Sequence, residues 1–373
     1  MSSIAKQTVE KISKVFHVFP IEDHKIFLMN FNGTFVGHDA KAFAIWIQQN
    51  RPEYKIYWGA RDKKAIKGMQ LEGVTFVKIN SLQGFFHMLT AKVLLYNVNP
   101  PSFLAFRKQQ ILINTWHGFP IKLVGNFQSL YSVEQINKTT LYLSDAKICT
   151  DNFIRKTCRY IGTVETFGTP RTDIFFSDAG KKEARKRIEK QYHVEGKKLV
   201  LYAPTFRGST DVADITIDVS GLRTALENKY GGTWAVLFRL HPMIKNLHDV
   251  SLNSAVDVTD YQDTQDLLCA ADVLITDYSS TAWDFSLMYK PVFIYAPDRS
   301  EYEKDRGLMV PIELWPYPCA ETNESLFKSI QLLDQNAYIQ RVQDYQAYCG
   351  NYDVGLSCKK IMDYIESSRR NNK

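Results

Sequence analysis

Short apolar runs separated by amphipathic or charged segments recur along nearly the whole chain, and this rhythm constrains the fold more than any other feature of the sequence. From Lys25 onward the runs read KIFLMNF, YKIYWGA, VTFVKI, KVLLYNV and ILINTWHG, with a helical pattern through AKAFAIWIQQN between the first two. A second series opens at Lys198 with KLVLYAPTF and continues through WAVLFRLHP, AVDVTD, DVLITDYSS and PVFIYAP. Continuous apolar runs joined by helices belong to a parallel sheet buried on both faces, so the class expected is α/β. At 373 residues the chain is too long for one comfortable core and well sized for two domains with a cleft between them. The charged helix AGKKEARKRIEKQYHVEGKK closes the first series and puts the boundary near residue 195, giving domains 1–195 and 196–373. Polar and aromatic helices at about 324–350 and 357–369 end the chain and are expected to cross back to the first domain.

No run of about 18 apolar residues appears, so no bilayer span is expected. The N-terminus lacks the apolar core and cleavage site of a secretory signal, which points to a cytoplasmic protein. Six cysteines are scattered without a CxxC pair or a histidine at zinc-ligand spacing, and read as reduced thiols in packing positions. The net charge of +6 conceals an asymmetry: residues 1–190 carry 28 basic and 15 acidic side chains, the remainder 18 and 25. The basic half calls for an anionic partner. Its charges are dispersed rather than interleaved with stacking aromatics, which favours an acidic membrane surface or a phosphorylated acceptor over nucleic acid. From Ile4 to Phe19, apolar Ile4, Val9, Ile12, Phe16 and Phe19 alternate with Lys6, Lys11 and Lys14, the pattern of a basic amphipathic helix that lies on a membrane or docks on its own domain.

The stretch from Asp272 to Tyr295 carries the strongest chemical signal: a buried strand, VLIT, runs into the hydroxyl-rich turn DYSST and then a helix opening near Ser280 or Thr281. Ligands of open α/β sheets bind where strands end, and helix starts suit phosphate. Serine and threonine before a helix are often only caps; three hydroxyls in succession, Ser279, Ser280 and Thr281, point beyond capping. Two histidines stand at apparent strand ends, His117 in ILINTWHGFP and His241 in AVLFRLHP. Pro242 favours an extended backbone for His241, and Gly118 permits a sharp turn after His117, so both imidazoles are placed to face one cleft. Singly, each is accounted for as a hydrogen-bonded structural residue; the pairing suggests proton transfer or charge stabilisation at phosphorus. Arg171, Arg207, Arg239 and Arg306 cluster at strand ends and loop starts, where guanidinium groups neutralise phosphate, and no metal-binding DxD motif is present.

Taken together, TWHGFPIK with Gly125, GTPRTD, LYAPTFR, RLHP, DVLITDYSSTAWDF and KPVFIYAPDRSEYEKDRG resemble the CDP-glycerol glycerophosphotransferase family, over about Lys25 to Tyr364. The resemblance implies a GT-B architecture of two Rossmann-like domains with parallel sheets facing a central cleft, an N-terminal acceptor side, a C-terminal nucleotide side, and neither metal nor cofactor. It implies His117 as the base for the acceptor proton and His241 as the group steadying the leaving CMP. Donor and diphosphate contacts fall on Arg171, Asp173, Arg207, Arg239, Asp277, Ser279, Ser280, Thr281 and Asp298, and the acceptor side on Gly118, Phe119 and Lys122. Phe119 departs from the family's small residue after WHG and is expected to reshape the acceptor pocket. The implied reaction moves glycerol phosphate from CDP-glycerol to a hydroxyl of a polyprenyl-diphosphate-linked saccharide or polyol-phosphate polymer, at the inner face of the cell membrane, in teichoic acid or capsule synthesis. CDP-ribitol as donor stays open. So do two readings of other classes, a nucleotide-sugar glycosyltransferase and a non-catalytic nucleotide-binding protein.

Overall fold

The computed structural model describes residues 9–62, 64, 70–98, 104–121, 133–205, 217–240 and 254–370, without the side chains of 303–306 and 370. The chain forms two units: Met1–His117, Asn126–Asp173 and Asn351–Lys373 make the first, Gly118–Gly125 and Ile174–Gly350 the second.

The first unit holds a seven-stranded parallel sheet of β1 (Glu22–Met29), β2 (Lys55–Ala60), β3 (Val74–Lys78), β4 (Ala91–Tyr96), β5 (Ile111–Asn114), β6 (Leu141–Leu143) and β7 (Thr163–Glu165), in the order β3-β2-β1-β4-β5-β6-β7. Every residue of β4, β5 and β6 is buried, as continuous apolar runs require when both faces are covered. Helix α1 (His38–Asn50) lays Ala40, Phe43, Ala44 and Ile47 on one face at helical spacing. On the other face, α2 (Leu82–Thr90) buries Met88 and Leu89, and its start is capped by Ser81 Oγ accepting from Gly84 N at 3.0 Å.

The second unit repeats the arrangement with β8 (Lys198–Ala203), β9 (Trp234–Phe238), β10 (Val256–Asp257), β11 (Val273–Thr276), β12 (Val292–Tyr295) and β13 (Cys319–Ala320), in the order β10-β9-β8-β11-β12-β13. Its helices are α3 (Asp178–Tyr192), α4 (Val219–Tyr230), α5 (Thr264–Ala270), α6 (Thr281–Ser286), α7 (Arg299–Arg306), α8 (Asn323–Leu332) and α9 (Gln335–Cys349). The single helix expected over 324–350 is broken at Leu333 because Asp334 caps α9, accepting from Asn336 N and Ala337 N. Strands β6, β7 and β13, of three, three and two residues, have no counterpart in the sequence reading.

The division between the units falls after Asp173, not near residue 195. Charged helix α3 belongs to the second unit, where Arg187 grips the buried Asp266 of α5 at 2.7 and 3.1 Å and Arg185 reaches Asp272 at 3.0 Å. After α9 the chain returns to the first unit as α10 (Ser357–Arg370), whose Cys358, Ile361, Met362 and Ile365 join the core beneath α1. Among the six cysteines only Cys319 is exposed; the rest fill the interior as free thiols.

The GTPRTD segment fastens that return. Asp353 accepts from Thr169 N at 2.8 Å and Thr172 Oγ1 at 2.7 Å, and Asp173 accepts from the Ser357 and Cys358 amides at 2.9 and 2.8 Å, capping α10. Arg171, 2% exposed, lies between Asp39 and Asp145 at 3.5 and 3.7 Å and donates its backbone N–H to Asp39. Arg171 and Asp173, which the resemblance assigns to the donor, make these contacts inside the first unit, where they hold chain segments together. Burial and the neighbouring Asp145 push the Asp353 carboxyl well above the usual range. Replacing Arg171 with Met leaves Asp39 and Asp145 without their buried cation and is expected to cost about 3–5 kcal/mol. Urea denaturation checks this, and a loss below about 1 kcal/mol contradicts it.

Candidate active site

In each sheet the strand order reverses beside the first strand, and crevices at such reversals hold ligands in open α/β folds. In the first unit the reversal lies between β1 and β4. The chain leaves β1 at Asn30 and Phe31 and leaves β4 at Asn97. The Asn97 amide donates to Asn30 Oδ1 while its own Oδ1 accepts from Phe31 N at 2.8 Å, so one buried side chain ties the two strand exits together. From the next strand, Asn114 Oδ1 accepts from Trp116 N at 2.8 Å and stabilises a left-handed backbone at Trp116, φ 54°. That turn presents His117.

The His117 ring lies 4.0 Å from the Trp116 ring and 5.2 Å from the Phe31 ring, centroid to centroid, and its Nδ1 is 3.0 Å from the Asn97 carbonyl oxygen. A carbonyl only accepts, so Nδ1 carries the proton and the neutral ring keeps its lone pair on Nε2. Burial, together with the positive charge of Arg171, pushes the imidazole down to about 4. The ring is therefore a free base at neutral pH.

In the second unit the reversal lies between β8 and β11. Here Asp277, buried at the end of β11, accepts from Thr205 N with both oxygens at 3.0 Å, and Thr276 Oγ1 donates to the Ala203 carbonyl at 2.7 Å. The hydroxyl turn follows. Thr281 donates through N and Oγ1 to Ser279 Oγ at 3.3 and 3.0 Å. The Ser280 hydroxyl, half-buried at the start of α6, has no hydrogen-bond partner among the described residues. With only six residues α6 has a small dipole, so hydroxyls and turn amides are the main anion ligands the turn offers.

Gly118 meets this turn. Its φ of 150° lies where side chains are strained, and a Cβ there would collide with the Ser280 hydroxyl. The next residue, Phe119, is buried and stacks on Trp283 of α6 with centroids 4.1 Å apart and planes 11° from parallel. Gly118 and Phe119, expected on the acceptor side, thus belong to the unit that carries the hydroxyl turn, and Phe119 fills its interior instead of lining a pocket. Tyr278 stacks on Tyr302 at 3.6 Å and donates to Asp298 Oδ1 at 3.4 Å. Arg239 donates to the Tyr261 carbonyl, forms no ion pair among the described residues, and is pushed down by burial. Lys122, Gly125, Arg207 and His241 lie outside the described residues, as does the Arg306 side chain. Among the described residues no three His, Cys, Asp or Glu side chains converge as a metal-ligand set.

Sequence reasoning passed over Asn30, Asn97 and Asn114. The signal was present: three neighbouring strands each finish in, or one residue before, an asparagine, the residue that best bonds its own turn.

Residues 11–367 match the family model described as CDP-glycerol:poly(glycerophosphate) glycerophosphotransferase. The chain is 25% identical to the teichoic acid poly(glycerol phosphate) polymerase of Bacillus subtilis strain 168 over 98% of its own length, yet spans about half, 51%, of that protein. It is 26% identical to the teichoic acid glycerol-phosphate transferase of Staphylococcus aureus NCTC 8325, covering 91% of the chain and 92% of the relative. It is 30% identical to the teichoic acid ribitol-phosphate primase of Bacillus spizizenii W23 over 76% of each. Among solved structures, that of the wall teichoic acid polymerase TagF superposes with a TM-score of 0.83 at 23% identity, covering 99% of this chain and 96% of the other, which shows the shared GT-B fold.

Two outcomes follow from this geometry. The His117 C2 proton should titrate by NMR with a midpoint near 4; a midpoint at the ordinary histidine value near 6.5 contradicts the burial described. Because the folded value is depressed, this residue supports the fold above about pH 6.5 and withdraws that support as pH falls towards about 4. Gly118→Ala should lower stability to urea by about 1–3 kcal/mol, and an unchanged denaturation midpoint contradicts both the backbone strain and the collision with Ser280.

Proposed function

The chain belongs to the CDP-glycerol:poly(glycerophosphate) glycerophosphotransferase family, and on that premise we propose that it transfers glycerol phosphate from CDP-glycerol to a hydroxyl of a polymeric or lipid-linked cell-envelope acceptor, releasing CMP. The acceptor oxygen attacks the β-phosphorus in line as the bridging P–O bond to CMP breaks, and Nε2 of His117 takes the hydroxyl proton. Ser280 and the turn following Asp277 hold the diphosphate, Arg239 offsets its charge, and His241 steadies the departing CMP. Positioning and charge stabilisation supply most of the acceleration.

The observation that carries this reading is the tautomer of His117: a neutral imidazole at a strand exit, with Nδ1–H committed to Asn97 and Nε2 left as acceptor. A donor dianion beside the ring would raise its basicity towards neutrality.

The first unit carries 26 basic and 15 acidic residues, and Ile12, Val15, Val18 and Phe19 are exposed near its start. No helix among the described residues is long and apolar enough to cross a membrane. These features support an anionic membrane surface as partner, reached peripherally. A second reading, CDP-ribitol as donor, is favoured by the 30% identity to a ribitol-phosphate primase.

Incubation with CDP-glycerol, CDP-ribitol and UDP-sugars in turn, in the presence of acceptor, tests donor and class together. CMP release from CDP-glycerol is expected; UDP release instead makes the protein a glycosyltransferase, and binding without release makes it non-catalytic. His117→Ala should lose about 10²- to 10⁴-fold in transfer rate while folding and binding donor normally. Near-normal turnover in that variant removes His117 from the base role.

A further inference from the structure

We propose that the loop joining β1 to α1, residues 30–38, is the subsite for the terminal polyol of the acceptor, with the rings of Phe31 and Phe35 as its stacking face. The inference rests on His117 being the base and adds to it which residues present the acceptor hydroxyl.

The loop occupies the exit of β1 at the strand-order reversal of the first sheet. It is held in a costly conformation. Phe31, Asn32 and His38 have φ of 41°, 54° and 52°, in the left-handed region that side chains avoid at about 1–2 kcal/mol per residue. Such strain persists only where surrounding contacts over-determine it, and these are present. Asn97 Oδ1 holds Phe31 N at 2.8 Å, Gly33 N donates to the Asn30 carbonyl at 2.8 Å, and Arg61 N donates to the Gly33 carbonyl at 2.7 Å. A side chain at Gly33, φ 81°, would run into the backbone of Gly59 and Arg61. A loop serving only to link a strand to a helix has no need of three strained non-glycine residues.

The fastened loop displays a small aromatic surface. Phe31 and Phe35 stack with centroids 5.5 Å apart and planes 19° from parallel, and both are half-buried rather than taken into the core. Two imidazoles flank Phe31, His117 at 5.2 Å and His38 at 5.4 Å. A flat apolar face bordered by groups that exchange hydrogen bonds suits a polyhydroxylated chain or ring, whose C–H side packs on the aromatics while its hydroxyls reach the imidazoles. A hydroxyl carried by a group resting on Phe31 comes within reach of the His117 ring. Residues 30–38 contain no lysine or arginine, so the loop matches the uncharged terminal polyol rather than a phosphate of the acceptor. The buried Asn30 amide nitrogen, without a partner among the described residues, leaves one more donor at this reversal.

Initial-rate kinetics on the whole chain, with CDP-glycerol and a soluble glycerol phosphate oligomer as acceptor, provide the test. Phe31→Ala and Phe35→Ala should raise the acceptor KM by about 10- to 100-fold and leave the donor KM within about twofold, as for loss of an apolar contact confined to one substrate. Phe31→Tyr, which keeps the ring, should restore most of the acceptor affinity. Phe31→Leu, which keeps bulk without the flat face, should not. If Phe31→Ala does not fold, Phe31→Leu and Phe35→Ala with wild-type melting curves carry the test. An unchanged acceptor KM in folded variants, or a donor KM that rises as much as the acceptor KM, overturns the assignment. A wild-type chain that releases no CMP with this donor and oligomer overturns the reading of glycerol phosphate transfer to a polymeric acceptor instead, and the subsite with it.

Discussion

The hydrogen bond from His117 Nδ1 to the Asn97 carbonyl decides what the first unit can do. A histidine at a strand exit has two tautomers and several orientations, and only one of each leaves Nε2 as a directed lone pair. Asn97 is able to select it because its side chain is already committed to Asn30 and Phe31, which fixes the carbonyl in place. His117, the β1 exit and the Phe31 ring therefore form one connected structure. The second unit solves the equivalent problem with Asp277, whose two oxygens hold Thr205 N across the same kind of reversal. A short polar side chain bridging two strand exits is the shared device, and it turns a gap in the strand order into a rigid rim.

Motif residues divide their labour between chemistry and architecture. The resemblance assigns Arg171 and Asp173 of the GTPRTD segment to the donor, yet its threonines, arginine and aspartate serve the junction where the chain comes back from the second unit. The cluster acts on His117 all the same. Arg171, held by two carboxylates, adds to the burial that keeps His117 neutral. Phe119 shows the reverse case: a bulky residue after the WHG motif reads as a change in acceptor recognition, but its ring is spent on Trp283.

The class and ten of the thirteen strands were legible because parallel strands buried on both faces cannot avoid continuous apolar runs. The hydroxyl turn was legible for a similar local reason, being three consecutive residues after one such run. What stayed hidden depends on contacts between distant segments. The domain limit follows from Arg187 meeting Asp266, 79 positions apart, and nothing local distinguishes α3 as the start of the second unit from α3 as the end of the first. Arg171 looks free until Asp39, 132 positions away, is folded against it. Asn97 looks like an ordinary turn residue until both its neighbours are in place.

Co-crystallisation with CDP-glycerol tests the central claim most directly, because it asks whether the rim built around Asp277 is where the donor sits. The account predicts the diphosphate on the Ser279–Thr281 turn, with a phosphate oxygen about 2.5–2.7 Å from the Ser280 hydroxyl and the His117 Nδ1 bond to Asn97 intact. A diphosphate bound away from that turn, or an imidazole turned so that Nε2 faces Asn97, contradicts it.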